Sequence, residues 1–190
     1  MSESFEDLSQ EVSEAEISGK TETVAATCRR ALDSPTVQSS AERMFHFGMK
    51  LAALLLGGDE PIRDEDVSEG IFVLRKLLTF VSPVKNPAEY ASTHLQLGSA
   101  LFREERNLRS AISHFEEALL FLRQERSPRE WALAKVAAGQ AYWWLDHRRE
   151  RVVAIRYLEE ALAYFTLEKF PEDYEEYSEQ LTSWKKVVPP

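Results

Sequence analysis

At 190 residues, with 44% hydrophobic and 29% charged side chains, the chain has the balance of a soluble globular protein and a length suited to one domain. Its 32 acidic and 23 basic side chains give a formal net charge of −9, which repels phosphate and argues against nucleic acid or an anionic membrane surface as partner. A single cysteine, Cys28, excludes an intrachain disulfide, and with no secretory signal and no apolar run of about 18 residues a cytoplasmic location is expected.

In chain order, apolar periodicity predicts helices at Ser4 to Ile17 and around Val24 to Leu32, then at Thr36 to Leu56 and around Gly70 to Leu78. Further helices follow at Ala88 to Glu104, around Ala111 to Leu119, at Arg129 to Asp146, around Ala154 to Leu162, and at Glu172 to Val187. Strand signals, meaning period-2 alternation or an Asn-Gly or Asp-Gly hairpin, are lacking. The helices repeat. Pro87-Ala-Glu-Tyr90-Ala91, Pro128-Arg-Glu-Trp131-Ala132 and Pro171-Glu-Asp-Tyr174-Glu175 recur 41 and 43 residues apart, each reading as a helix start with proline and an acid in the first turn. Ala111, Ile112, Phe115, Ala118 and Leu119 recur as Ala154, Ile155, Leu158, Ala161 and Leu162, so each repeat is a hairpin of a helix A and a helix B. Weaker copies of helix B fall at Gly70 to Leu78 and Val24 to Leu32.

Leu97, Gly98, Ala111, Phe115 and Ala118, and again Gly139, Tyr142, Ala154, Leu158 and Ala161, carry a pattern that resembles the tetratricopeptide repeat. The likeness is good over residues 87–175, partial over 37–86 and faint before that. It departs in its period, 41 to 43 against a norm of about 34, and in a proline that comes late; this longer form is similar to bacterial arrays often fused to protease or signalling domains. The resemblance implies an all-α, right-handed superhelix of about four hairpins with a C-terminal capping helix. The chain is then one domain over 1–190: a degenerate hairpin at 1–35, repeats at 36–86, 87–127 and 128–170, and a cap and tail at 171–190. Gly48, Gly98 and Gly139 stand where paired helices approach closely, and a side chain there would overpack by roughly 1 to 3 kcal/mol.

Residues that invite a chemical reading have plainer ones. His46, His94, His114 and His147 show no metal-ligand spacing, and His94 sits at an inward position that suits a structural histidine. Cys28 lies in a helical stripe and reads as a small hydrophobe. Asp59, Glu60, Asp64, Glu65 and Asp66 fall within ten residues, but Pro61 interrupts them and the calcium-loop order is missing, so a solvated insertion with acids capping the next helix is expected. Glu116-Glu117 and Glu159-Glu160 read as solvated faces, since adjacent helical residues point about 100° apart. Equivalent helix B positions carry Arg29-Arg30, Arg75-Lys76, Glu116-Glu117 and Glu159-Glu160. That polarity either favours self-association into a homo-oligomer or is random variation on an exposed face.

In tetratricopeptide proteins helix A lines a concave groove. Counting from the three glycines carries that role to Glu42, Phe45 and Met49, to Ser92, Leu95, Ser99, Phe102 and Arg103, and to Leu133, Val136, Gln140, Trp143 and Trp144. Some of these belong either to the groove or to the core between repeats. Phe45, Met49, Ser99, Phe102, Arg103, Gln140, Trp143 and Trp144 are the candidate binding residues, suited to an amphipathic helix or apolar peptide. The lysine and asparagine clamp of chaperone-binding relatives is missing from these positions. The expected function is a non-catalytic adaptor for a protein or peptide partner, without metal or cofactor; the alternative is a self-associating regulatory, assembly or chaperone-like subunit of a larger bacterial complex.

Overall fold

The computed structural model describes residues 3–57, 62–103 and 107–188, which form helices and turns with no strand among them. In order they are α1 (Phe5–Ile17), α2 (Thr21–Asp33), α3 (Pro35–Gln38), α4 (Ala41–Leu56), α5 (Asp64–Leu77), α6 (Pro87–Arg103), α7 (Leu108–Phe121), α8 (Pro128–Trp144), α9 (Arg148–Leu162) and α10 (Pro171–Val187). Each of the nine segments expected from periodicity is helical, with α2, α5, α7 and α9 starting a few residues earlier than expected and the expected end at Glu104 lying outside the described residues. One expectation needs correction: the single helix anticipated from Thr36 to Leu56 is two. Ser40 adopts an extended backbone and its hydroxyl accepts from the Arg43 N–H at 3.4 Å, so it caps α4, while Ser39 ends the one-turn α3. Neighbouring serines offer the backbone a capping alternative to continued helix.

The chain divides into two compact units, Met1–Thr93 and His94–Pro190, with the boundary inside α6. In the first unit Gly48 of α4 abuts Leu77 of α5, and Gly70 of α5 abuts Leu56 of α4, which makes the pair antiparallel. α1 returns as α2 through a turn in which Gly19 has φ +66, a left-handed conformation that favours glycine. In the second unit α6 and α7 pair antiparallel, with Gly98 under Phe115 and His94 beside His114. α8 and α9 do the same, with Lys135 bonded to Glu160 at 2.7 Å and Gly139 close to Ala154. α10 runs antiparallel to α9, fixed by Phe165 on Tyr177 and by Glu159 with Lys185 at 2.6 Å.

Contacts between successive hairpins join residues about one repeat apart. Arg29 binds Glu69 through two bonds, 40 residues on, and Lys76 donates to the Leu32 carbonyl, 44 residues back. In the second unit Tyr157 donates to Glu116, 41 residues back, and Trp143 of α8 stacks on Trp184 of α10 at 4.6 Å and 5°. Buried side chains follow the predicted stripes: Leu74 and Leu77 on α5, Ala111, Phe115 and Ala118 on α7, Ala154, Leu158 and Ala161 on α9. Several of the charges at the equivalent helix B positions are taken up inside the chain. Arg30 pairs with Glu3 and Glu11, Lys76 with Asp33, Glu159 with Lys185 and Glu160 with Lys135.

Candidate functional site

Phe102 and Arg103 end α6, Leu108 begins α7 and Trp144 ends α8; together they line a cleft of about 370 Å³ in the second unit. The stripe that buries Leu97, Ala100 and Leu101 leaves Phe102 half-buried on the flank of α6. Trp144 is 67% exposed, the least covered aromatic of the unit's core-facing helices. Its neighbour has a different fate because consecutive helical residues diverge by about 100°. Trp143 is half-buried, stacked on Trp184 and covered by the Arg151 guanidinium at 4.8 Å from its ring centroid.

Three of the eight candidate residues, Phe102, Arg103 and Trp144, are therefore brought together. Ser99 and Gln140 are half-buried in the same unit, and the Ser99 hydroxyl donates to the Leu95 carbonyl at 3.0 Å, a bond spent within its own helix. Phe45 and Met49 are half-buried on α4 in the first unit. Among the other counted positions Glu42 is exposed, while Val136 is buried in the core with Ala132 and Leu158, so its place is packing and not a groove. Leu108 was missed. Counting along helix A alone could not find a helix B residue, although its place three residues before Ala111 continues the apolar stripe.

A larger hollow of about 750 Å³ in the first unit is lined by Thr21, Glu22, Arg29, Leu54, Arg63 and Asp66 among others. Its charges are engaged with carboxylates: Arg29 with Glu69, and Arg63 with Asp66 at 2.7 Å. Those pairs hold Asp66 and Glu69 below the usual carboxylate range. Asp64, Glu65 and Asp66 form the first turn of α5, directly after the cap position, which Arg63 and not an acid occupies. Asp59 and Glu60 of the acidic stretch lie outside the described residues.

The remaining titratable groups serve packing. Cys28 is fully buried, and burial pushes its thiol up to about 11, so it stays protonated at neutral pH. His94 is 8% exposed, its Nδ1 is 2.9 Å from that of His114, and burial, helped by the His114 charge, lowers it to about 4. Glu116 accepts from Tyr157 at 2.7 Å and from Tyr142 at 3.1 Å; burial and this carboxylate raise Tyr142 to about 12 and Tyr157 further. Among the described residues no three His, Cys, Asp or Glu side chains form a group that would hold a metal ion, and no helix is long and apolar enough to cross a membrane. No protein-family model matches the chain, and no curated protein sequence matches it.

Proposed function

We propose that the chain is a tetratricopeptide-like helical repeat of superhelical form that acts as a non-catalytic adaptor, binding a protein or peptide partner through an apolar groove. The observation that carries this reading is the cleft of Phe102, Leu108 and Trp144, an exposed indole beside apolar walls at the ends of three helices. Exposed aromatics beside a concavity are the usual anchor points of protein interfaces. Hairpin contacts about one repeat apart within each unit are what stacking of repeats produces, and such stacks present extended binding surfaces.

Trp144 is the anchor to test. Trp144→Ala is expected to weaken partner binding by about 2 kcal/mol or more, with little change in stability because the ring is largely in solvent. Trp143→Ala is a poorer probe, since it also strips the stack from Trp184. The measurement is affinity capture from the native cell with wild-type chain and the variant side by side. A folded Trp144→Ala protein that retains every specific partner at full strength would remove the adaptor reading from this cleft.

A further inference from the structure

We draw no further inference here: the strongest candidate, the apolar cleft of Phe102, Leu108 and Trp144 at the ends of α6, α7 and α8, carries nothing beyond the adaptor reading, because nothing in the structure shows what covers it.

Discussion

Glu116 Oε1 accepts hydrogen bonds from both Tyr142 and Tyr157, so one carboxylate of α7 ties down side chains of α8 and α9. Glu116→Ala leaves both phenols without their acceptor and is expected to cost about 2 kcal/mol in urea unfolding, while Glu116→Gln, which keeps an acceptor oxygen, costs less than half of that. Equal losses for the two variants would show that the shared acceptor is not what matters. Helix-face counting placed Glu116 and Glu117 in solvent because adjacent helical residues diverge by about 100°; the Tyr142 and Tyr157 hydroxyls that reach Glu116 become visible only when the third helix is in place. His94 gives a second residue-scale expectation. Its folded pKa, about 4, lies below the ordinary 6.5, so between these values the unfolded chain binds a proton that the folded chain does not. Stability should fall as pH drops from 6.5 to 5, by up to about 1 kcal/mol per unit, before most carboxylates titrate. His46, also lowered by burial, acts in the same sense. Urea midpoints that stay level over this window, or a slope unchanged in His94→Gln, would contradict the burial of that ring.

At the scale of the element, the three glycines that organise the repeat are not equivalent. A Cβ on Gly98 would lie 2.7 Å from the Phe115 ring and 3.1 Å from the Ala111 carbonyl, whereas on Gly139 the nearest atom is the Ala154 carbonyl at 3.2 Å. Phe115 is fully buried and cannot swing away, so overpacking at Gly98, roughly 1 to 3 kcal/mol, exceeds the gain of about 1 kcal/mol in helix propensity. Gly98→Ala should therefore lower the thermal midpoint and Gly139→Ala should leave it nearly unchanged. A reversed order in melting measurements would mean that α8 and α9 are packed more tightly than α6 and α7. Sequence spacing could locate both crossings, because Gly and Ala recur at fixed offsets. It could not rank them, since the residue opposite, Phe115 or Leu158, is read as the same apolar position. The helices themselves were legible for the same reason, a 3.6-residue stripe anchored by Pro-acid starts, and the missed break at Ser39 and Ser40 lies where side-chain capping overrides an uninterrupted stripe. The cleft was half legible: Phe102, Arg103 and Trp144 fell to counting along helix A, and Leu108 required knowing which helix B start closes the wall.

For the molecule as a whole, tryptophan placement makes cooperativity measurable. Trp131, Trp143, Trp144 and Trp184 all lie in the second compact unit, so indole fluorescence follows that unit alone, while far-ultraviolet ellipticity follows the helices of both. The boundary falls between Thr93 and His94, in the middle of α6, which is continuous from Pro87 to Arg103. Thr93 is fully buried, with its hydroxyl bonded within α6 to the Glu89 carbonyl at 2.7 Å, and His94 beside it packs on His114. Melting one unit alone would leave half of α6 as a helix end at fully buried Thr93, with backbone groups that had been satisfied now without partners. In a repeat chain, nearest-neighbour coupling of this kind makes adjacent hairpins unfold together. Urea titrations read by fluorescence and by ellipticity are therefore expected to share one midpoint and one slope, the criterion of a two-state transition. An ellipticity loss that begins at lower urea than the fluorescence change would show the first unit unfolding separately, and the continuous helix would then be too weak a link to make residues 1–190 one cooperative domain.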